Sequence, residues 1–532
     1  MAEPRDEARK GWIARWIERR FGGYRHAFNQ PDPSQPHALQ EPRRVAVVGA
    51  GLAGLGAAAK LAERGFSVTL IERNDYLGGK VGAWQTTMPG GREIGMTHGF
   101  HAFFRHYYNL NEFFAGVGID RHYRSVGDYM ILTRDGQRYS FAGVATTPLL
   151  NLLSLARKGV YRLREVSGRQ TRTQMEALLR YDPERTFAEW DEVSYAQFAA
   201  AAQLPASLAL VFNTFSRAFF SDAEKMSMAE LIKSFHFYYL SNDGGLIYDL
   251  LDEDYEIALI RPLRDYLERH GVEIHTGRAV ETVALDAQGR FELDGEPFEY
   301  LVIASDVVGT RALFQASPAL AAAAPRCAAG VASLTPGQRY SVWRLWLDAD
   351  CDPEGMPGFV ITERDRVLDA LTFVHINEGE SARWVAERRA AGGRGCVLEL
   401  HCYAVPEDIA GGAIDDAAEA ALRAAFMDEL RTFFPALVDA EVLHEDFYIR
   451  RDFPAFHVGQ HASRPSWDTE LPNLFLAGDW VKLPFPAMLM EASYSAGLLA
   501  ANAIFAAEGL REEPVFCVPP RGFLAGVGER GK

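Results

Sequence analysis

Three glycines near the N-terminus stand in the spacing Gly-x-Gly-x-x-Gly, a pattern whose chemistry is the binding of a pyrophosphate. Gly49 would permit a tight turn, Gly51 would let the backbone approach a phosphate, and Gly54 would let a helix pack closely on a strand. The free N–H groups and positive dipole end of the helix would attract phosphate without a lysine. The pattern alone is weak evidence, so the surrounding elements decide what it means.

The elements around these glycines are those that a dinucleotide pocket requires. The apolar residues 45–48 predict a buried parallel strand, and an alanine-rich helix is predicted after Gly51. A second strand over 67–71 ends at Glu72, whose carboxylate would accept hydrogen bonds from ribose hydroxyls and repel a 2′-phosphate. Arg73 follows Glu72 and is also predicted to bind the cofactor. The sequence therefore predicts a dinucleotide other than NADP.

A second glycine pair favours FAD over NAD. Gly78 and Gly79, followed by Lys80, resemble the GG-R/K element that comes after the dinucleotide motif in flavin amine oxidases and carotenoid desaturases. The resemblance implies that these three residues also contact the cofactor.

The C-terminal part of the chain carries a second motif of the same kind. Residues 474–480, LFLAGDW, predict a buried strand that ends at Gly478 and Asp479, and residues 488–501 predict a helix with many small residues. In flavoproteins that this layout resembles, the aspartate binds the ribityl-phosphate region. The start of the next helix, here the Met490 backbone, points at the isoalloxazine and stabilises negative charge there.

The two FAD motifs lie at opposite ends of one chain, so the cofactor domain must be discontinuous. The predicted fold class is α/β, with a discontinuous Rossmann-like FAD-binding domain and an inserted α+β substrate domain, as in flavin amine oxidases and phytoene desaturases. By the same resemblance, the Val280 backbone would contact adenine. The predicted units are 1–28 (basic amphipathic helix), 29–42 (proline-rich linker), 43–111, 230–310 and 446–507 (FAD-binding domain), 112–229 and 311–445 (substrate domain), and 508–532 (tail).

Residues 93–110, EIGMTHGFHAFFRHYYNL, carry the most specific resemblance. They look like the ζ-carotene desaturase and isorenieratene synthase family, whose stretch reads approximately E-x-G, then G-x-H-x-F-F-x-x-Y-x-N-L. The matching positions are Glu93, Gly95, Gly99, His101, Phe103, Phe104, Tyr107, Asn109 and Leu110. Residues 483–491, LPFPAMLME, and 517–522, CVPPRG, resemble the ring-modifying isorenieratene synthases most closely.

This resemblance implies an FAD-dependent desaturase that acts on a carotenoid or related polyisoprenoid. In the ring-modifying subgroup, β-ionone rings become aromatic rings and a methyl group migrates. His101 is the predicted catalytic residue, as a proton acceptor or flavin-orienting group, because its charge can change near neutral pH. Glu491 is expected to cap backbone N–H groups. The final electron acceptor is left open.

A hydrophobic polyene requires a tunnel with few polar groups. Aromatic side chains suit it, because their faces attract a cation formed on the substrate. The aromatic residues predicted for this wall are Phe212, Phe215, Phe219, Phe220, Phe235, Phe237, Tyr238 and Tyr239.

Three other functions remain open at this point. A linear carotene desaturase would carry the same motifs. Amine oxidases and protoporphyrinogen oxidases share both FAD motifs, and Trp480 with Phe485 resembles the aromatic pair that amine oxidases place at the flavin. Escort proteins that bind prenyl chains share the fold without using flavin.

Composition excludes several other classes. A net charge of −16 argues against general nucleic-acid binding. The five cysteines show no CxxC spacing and no accompanying histidine cluster, so no metal site is predicted. A reducing cytoplasm is the simplest compartment for them.

The first residues are basic in an otherwise acidic chain. Arginine and lysine side chains surround Trp12, Ile13, Trp16, Ile17 and Phe21, which fall on one half-face of a helix. Tryptophans flanked by basic residues suit a helix that lies in a membrane interface. The expected location is cytoplasmic, peripheral on the inner face of the membrane. The alternative is a helix that docks on its own protein. The basic residues are Arg9, Lys10, Arg15, Arg19, Arg20 and Arg25.

Overall fold

A five-stranded parallel sheet forms the centre of the cofactor domain in the structure, a computed structural model that describes residues 11–162, 164, 168, 175–202, 212–213, 216–244, 247–351 and 356–526. Valine, isoleucine and leucine dominate its strands, which are buried on both faces as parallel strands usually are. Its strands in spatial order are Glu273–His275, Ser67–Ile71, Arg44–Val48, Tyr300–Ile303 and Leu474–Leu476. They come from distant parts of the sequence, which is the discontinuous α/β arrangement that the sequence predicts.

Two helices pack on this sheet through small residues. Leu52–Glu63 follows the glycine turn, and Leu489–Ala507 packs against it. A Cβ atom on Gly497 would lie 2.1 Å from the carbonyl oxygen of Ala53, so only glycine permits this approach.

A seven-stranded mixed sheet forms the substrate domain. Its strands in order are Val442–Arg450, Tyr340–Leu347, Cys396–Cys402, Ala370–Phe373, Phe359–Thr362, Met130–Leu132 and Arg138–Ser140. Alternate residues of its central strands face opposite ways. Leu345, Leu398 and Leu400 pack with Leu422 and Phe426 of helix Asp416–Phe433 in a hydrophobic core. The other face looks toward the cofactor domain.

One predicted domain boundary falls inside this sheet. The predicted third cofactor segment begins at residue 446. Strand Val442–Arg450, however, pairs with strand Tyr340–Leu347 along its length. The antiparallel ladder keeps the whole strand in the substrate domain, so the boundary belongs after Arg450. The boundary at residue 310 likewise cuts helix Val307–Ala316.

The smaller strands and remaining helices connect these two sheets. The strands are His26–Ala27 with Phe516–Cys517, Ala83–Thr87 with Glu93–Thr97, Phe103–Phe104 with Tyr248–Leu251 and Tyr123–Ser125, and Ala284–Leu285 with Phe291–Leu293 and Glu296–Phe298. The helices are Trp12–Phe21, Tyr108–Val117, Leu150–Arg157, Pro183–Trp190, Tyr195–Ala202, Met228–Phe235, Arg261–Arg269, Pro318–Ala323, Pro325–Ser333, Val374–Asn377, Gly379–Ala390, Glu407–Ala410 and Pro435–Val438. Short 3-10 and π turns cover Gly79–Val81, Asp120–His122, His236–Leu240 and Glu256–Ile260.

The predicted linker at 29–42 is held against the protein body rather than extended from it. The Leu39 N–H donates to the Arg64 carbonyl, and the Arg64 side chain donates to the carbonyl of His37. The Asn29 side chain donates to Glu512. Prolines favour an extended backbone, but these hydrogen bonds determine where this segment lies.

Candidate active site

The glycine turn after strand Arg44–Val48 is crowded on its protein side and open on the other. Gly49 has a φ of 105°, and a Cβ atom there would lie 2.7 Å from the Ala304 carbonyl oxygen. A Cβ on Gly54 would lie 1.8 Å from the Gly49 carbonyl oxygen. A Cβ on Gly51, by contrast, would meet no protein atom within 4 Å. The open side can therefore admit a phosphate against the backbone.

Glu72 braces the same turn from the end of the second strand. Its Oε2 accepts a hydrogen bond from the Ala50 N–H at 2.8 Å, and its Oε1 accepts from the Asn74 N–H at 2.9 Å. A carboxylate has further lone pairs, so these bonds leave acceptor capacity for a ligand hydroxyl. The next residue, Arg73, is ion-paired with Asp306 at 2.6 Å.

The second glycine pair lies directly on the first glycine turn. The Gly78 N–H donates to the Ala50 carbonyl at 2.8 Å, and a Cβ on Gly79 would lie 3.0 Å from the Gly51 Cα. Lys80 then reaches the C-terminal motif, where its Nζ lies 2.6 Å from Asp479 Oδ2. The ion pair between Lys80 and Asp479 thus joins the second glycine pair to the C-terminal motif.

The C-terminal motif ends in a helix that begins at this site. Gly478 has a φ of 146°, and a Cβ there would lie 2.6 Å from the Trp480 indole nitrogen. Helix Leu489–Ala507 has no side-chain cap on its first turn, and Met490 lines the same space as Asp479. Val280, between strands Glu273–His275 and Ala284–Leu285, lines it from the side of Glu72.

One cavity of about 800 Å³ contains nearly all the predicted site residues. The predicted residues that line it are Gly49, Gly51, Glu72, Arg73, Gly78, Gly79, Lys80, His101, Val280, Gly478, Asp479 and Met490. Gly54 lies behind the turn, where it lets the helix approach the strand. The contacts of these residues with a cofactor stay predictions.

The cavity continues from the glycine turn into a pocket with aromatic walls. The rings of Phe100 and Phe359 stack with centroids 3.9 Å apart, and those of Tyr129 and Phe141 stack at 4.3 Å. Four of the predicted aromatic residues line it, namely Phe219, Phe220, Tyr238 and Tyr239. Phe212, Phe235 and Phe237 are buried in the core, and Phe215 lies outside the described residues.

His101 lies between the two halves of the cavity. Burial lowers its pKa to about 4, although backbone hydrogen bonds with Gly99 and Lys80 oppose the shift. Within the described part of the chain, its Nδ1 has no hydrogen-bond partner. A neutral imidazole with an available nitrogen fits either predicted role.

The neighbouring histidines differ from His101. His98 is buried, and its two ring nitrogens lie 3.3 Å and 3.2 Å from the hydroxyls of Tyr76 and Tyr340. His106 is enclosed by aromatic rings, and burial lowers its pKa to about 3. Among the described residues neither nitrogen of His106 has a hydrogen-bond partner, but His106 does not line the cavity, whereas His101 does.

A buried charged cluster behind the cavity was missed by the sequence analysis. Arg344 donates to Glu399 at 2.7 Å and approaches Glu378 at 3.4 Å, and burial raises the pKa of Glu378 to about 7. His401 lines the cavity, with its Nε2 3.3 Å from Glu399. The available signal was an arginine in the apolar strand YSVWRLWL, and a glutamate and a histidine two positions apart in the apolar strand CVLELHC.

Three sequence motifs meet at Asn109, outside the cavity. The Glu491 carboxylate accepts hydrogen bonds from the backbone N–H groups of Asn109 and Leu110 and from the Asn109 amide. Glu491 therefore caps helix Tyr108–Val117, the structural role expected for it, and burial raises its pKa to about 8. The Asn109 amide also exchanges hydrogen bonds with the Phe516 backbone, next to the CVPPRG motif.

The N-terminal basic helix is shorter than predicted and divides its apolar residues between two surroundings. It covers Trp12–Phe21 and ends at Gly22, while Arg9 and Lys10 lie outside the described residues. Ile17 is buried, and Phe21 packs on Phe523 with ring centroids 5.7 Å apart. Trp12 is 73% exposed.

No helix in the described ranges is long and apolar enough to cross a membrane.

The structure joins two cysteines that the sequence did not pair. Cys351 and Cys396 form a disulfide, while Cys327, Cys402 and Cys517 are buried free thiols. A histidine, His375, lies beside the pair, with its ligand atom within 4.8 Å of both sulfurs. Disulfide sulfurs are not thiolates, so we assign no metal to this group.

Comparison with known proteins agrees with this geometry. Residues 52–505 match the family described as flavin containing amine oxidoreductase. The carotenoid phi-ring synthase of Streptomyces griseus is 35% identical, covering 94% of this chain and 96% of the relative. The same-named protein of Chlorobaculum tepidum is 30% identical, covering 92% of each chain. The zeta-carotene desaturase of Synechocystis is 24% identical, over 87% of this chain and 97% of the relative.

Solved structures share the fold at lower identity. Cyclohexylamine oxidase from Brevibacterium oxydans superimposes with a TM-score of 0.61 at 16% identity, covering 88% of this chain and 100% of that one. An oxidoreductase from Methanosarcina mazei gives 0.58 at 16% identity, covering 87% and 100%. The predicted fold class and the resemblance seen in residues 93–110 are both confirmed. The chain therefore belongs to the flavin-containing amine oxidoreductase family, as a flavin-dependent oxidoreductase related to the carotenoid phi-ring synthases.

Proposed function

We propose that this chain uses FAD to oxidise the terminal β-ionone ring of a carotenoid to an aromatic ring, with migration of one methyl group. One observation carries the proposal: the glycine turn suited to a pyrophosphate and the aromatic-walled pocket belong to the same cavity. The names of the two carotenoid phi-ring synthases, which align with nearly the whole chain, support the ring as the place of reaction.

The residues of the glycine turn fit FAD. The open space above Gly51 accommodates a pyrophosphate, and the Glu72 carboxylate would hold the ribose hydroxyls. Asp479 would bind the ribityl-phosphate region, and the first N–H groups of helix Leu489–Ala507 would face the ring system. Bound FAD supplies the oxidant, because it accepts a hydride from a carbon of the substrate.

The aromatic end of the cavity suits a polyene ring that passes through a cation. Its stacked pairs, Phe100 with Phe359 and Tyr129 with Phe141, present ring faces and few polar groups. Each aromatic face that contacts a cation stabilises it by about 0.5–2 kcal/mol. Water would capture a ring cation, so an apolar wall also protects the intermediate.

The amine oxidase alternative requires two aromatic side chains side by side at the flavin. Trp480 lines the cavity and donates its indole N–H to the Ser305 carbonyl at 3.0 Å. Phe485 packs instead against Phe28, with ring centroids 5.0 Å apart. The two do not form a pair, which favours the carotenoid substrate.

A direct assay separates ring oxidation from linear desaturation. The purified, liposome-bound protein is incubated without oxygen with β-carotene and, separately, with ζ-carotene. We expect β-carotene to bleach the yellow flavin absorbance and to give a product with fewer hydrogens and the same number of carbons. Turnover of ζ-carotene alone would make the protein a linear desaturase. Bleaching by amines and by neither carotene would contradict the carotenoid assignment.

We also propose that helix Trp12–Phe21 attaches the protein to the inner face of the membrane, from which an insoluble substrate enters. The support is the exposure of Trp12 (73%), Ile13 (39%) and Trp16 (55%) beside Arg19 and Arg20, which are also exposed. Ile17 and Phe21 pack on the protein and one edge of Trp16 contacts Phe523, so these residues hold the helix in place while Trp12, Ile13 and the exposed part of Trp16 remain available for lipid.

A Trp12→Ser/Ile13→Ser double variant is expected to bind anionic liposomes at least about 30-fold more weakly, because inserting one exposed indole contributes roughly 2–3 kcal/mol. Co-sedimentation with vesicles that contain phosphatidylglycerol measures the change. Val308→Ser is the matched control, since Val308 is 47% exposed on another helix. Equal sedimentation of the double variant and the wild type would exclude this helix as the attachment point.

A further inference from the structure

The seven-stranded sheet presents a histidine to the cavity, with a carboxylate beside it on the same face. Val342 pairs with His401, and Arg344 pairs with Glu399, in neighbouring antiparallel strands. Tyr340 and Val342 line the cavity, and alternation along each strand places Arg344, Glu399 and His401 on that same face. His401 lines the cavity. Glu399 lies two residues before it in the same strand, and Arg344 pairs with Glu399 from the neighbouring strand.

The buried His401 ring is held by one nitrogen, and its opposite edge lies against Gly99. Its Nε2 lies 3.3 Å from Glu399 Oε1 and 3.1 Å from Thr372 Oγ1. The opposite edge of the ring, formed by Nδ1 and Cε1, faces Gly99. A Cβ atom added to Gly99 would lie 3.3 Å from Nδ1 and 3.2 Å from Cε1. Gly99 has a φ of 106°, so glycine is favoured there and leaves that edge without a side chain above it.

We propose that His401 accepts the proton that the substrate ring loses, and that Glu399 is its positioning residue. The inference rests on the proposed ring oxidation and assigns the proton step of that reaction. After a ring carbon has lost a hydride to the cofactor, the C–H bond on its neighbour breaks. The electron pair of that bond forms the new ring double bond and discharges the cation, and the proton goes to Nδ1 of His401.

The hydrogen-bond pattern supports this direction of transfer. Arg344 donates to Glu399 at 2.7 Å, so the carboxylate is an acceptor, and its negative charge 3.3 Å from Nε2 favours a hydrogen on that nitrogen, which Thr372 Oγ1 can accept at 3.1 Å. Nδ1 then carries the lone pair. Once Nδ1 gains a proton, the imidazolium lies beside the Glu399 carboxylate, an arrangement that stabilises the positive ring in many acid–base enzymes.

The groups around His401 have opposing effects on its pKa, and the net effect lowers it. Burial lowers its pKa, Arg344 lowers it further, and Glu399 and Asp369 oppose both effects. Burial lowers the pKa of His101, the other histidine near this edge, to about 4, and Glu399 raises that pKa only as a lesser effect. Among the described residues no ion pair joins His101 to a carboxylate, whereas Glu399 Oε1 lies 3.3 Å from His401 Nε2. His101 is bonded to the backbone of Lys80, in the cofactor motif, and its place suits orientation of the cofactor. The carboxylate makes His401 the stronger base.

The test compares His401→Gln and Glu399→Gln with the wild type and with His270→Gln, a change at an exposed surface histidine. Bound flavin per chain and the unfolding temperature are measured first. The pH profile of kcat/KM follows, together with the isotope effect on a substrate deuterated at the carbon that loses the proton. Neutral His401 is the active form, so wild-type activity is expected to fall as pH falls through its pKa.

His401→Gln is expected to retain flavin, to lose about 10²- to 10⁴-fold in turnover and to lose this acidic limb. Its isotope effect should rise, because proton removal becomes the slowest step. Glu399→Gln should move the limb to lower pH, since the Glu399 charge raises the His401 pKa. A purely structural role would change flavin content and stability but leave the limb in place.

Wild-type turnover with an intact acidic limb in His401→Gln would overturn the inference. If that variant loses its flavin, an unmoved limb in Glu399→Gln overturns it instead.

Failure of the proposed function looks different. A wild-type protein that oxidises only ζ-carotene contradicts ring oxidation, and the same variants then test His401 on that substrate. A wild-type protein that oxidises neither carotene contradicts both.

Discussion

A Gly51→Ala variant is expected to fold like the wild type and to be purified without its flavin. The backbone φ at Gly51 is −75°, which alanine adopts freely, and a Cβ there would meet no protein atom within 4 Å. The added methyl group would occupy the space proposed for the pyrophosphate. Each charge-assisted hydrogen bond lost contributes about 1.5–3 kcal/mol, so flavin affinity should fall by roughly 10- to 100-fold per bond.

Flavin absorbance per chain, reconstitution with added FAD and the unfolding temperature measure this outcome. Gly127→Ala is the matched control, because a Cβ there also meets no atom within 4 Å and Gly127 does not line the cavity. Gly54→Ala should lose both flavin and stability, since its Cβ would lie 1.8 Å from the Gly49 carbonyl oxygen. A Gly51→Ala protein with full flavin content would show that the cofactor lies elsewhere.

An Asn109→Ala variant is expected to lower the free energy of unfolding by at least about 3 kcal/mol, because each buried polar group left unpaired costs about 1–3 kcal/mol. The two hydrogens of the buried amide are shared among three acceptors, namely Glu491, Ser495 and the Phe516 carbonyl, and the amide oxygen accepts from the Phe516 N–H. Its loss would remove hydrogen bonds to helix Leu489–Ala507 and to the Phe516 backbone in the C-terminal tail.

Urea denaturation and limited proteolysis of the C-terminal tail measure the effect. Asn111→Ala is a graded control, since Asn111 is only half-buried and its amide donates to the carbonyl of Phe104 at 2.9 Å. We expect the control to lose far less stability and to keep the tail protected. Equal unfolding midpoints for both variants would mean that Asn109 does not hold these segments together.

The cofactor half of the site was predictable because its determinants are local. One tight turn and the first turn of the following helix set the positions of Gly49, Gly51 and Gly54. Strands with clear apolar patterns precede Gly78, Gly79 and Asp479. Such short spacings determine backbone shape within a few residues. Nearly every residue that the sequence predicts for the cofactor therefore lines one cavity.

The substrate half was less predictable because its residues meet across a sheet. His401 contacts Glu399 in its own strand and Thr372 in the next one, and only the strand register brings Arg344 beside them. Register depends on distant pairings, as does the contact between Cys351 and Cys396. The periodicity of the strands showed an apolar pattern but gave no signal for which face meets the cavity.

The amphipathic N-terminal helix shows another limit of periodicity. One stripe of apolar residues was predicted to face a single environment, membrane or protein. The structure turns Ile17 toward the protein and leaves Trp12 exposed, because Phe523 in the tail covers only part of the stripe. A pattern in sequence gives the width of an apolar face, whereas its neighbours decide how much of that face is covered.

The order of strands in the central sheet has a consequence for biosynthesis. Strand Leu474–Leu476 forms the edge of a sheet whose other strands lie before residue 304, and helix Leu489–Ala507 completes the glycine turn region from the far end of the chain. A ribosome must release these last segments before the domain closes. Flavin loading therefore waits until residues 474–507 have left the ribosome, and the partly made domain exposes apolar surface that chaperones would have to cover until then.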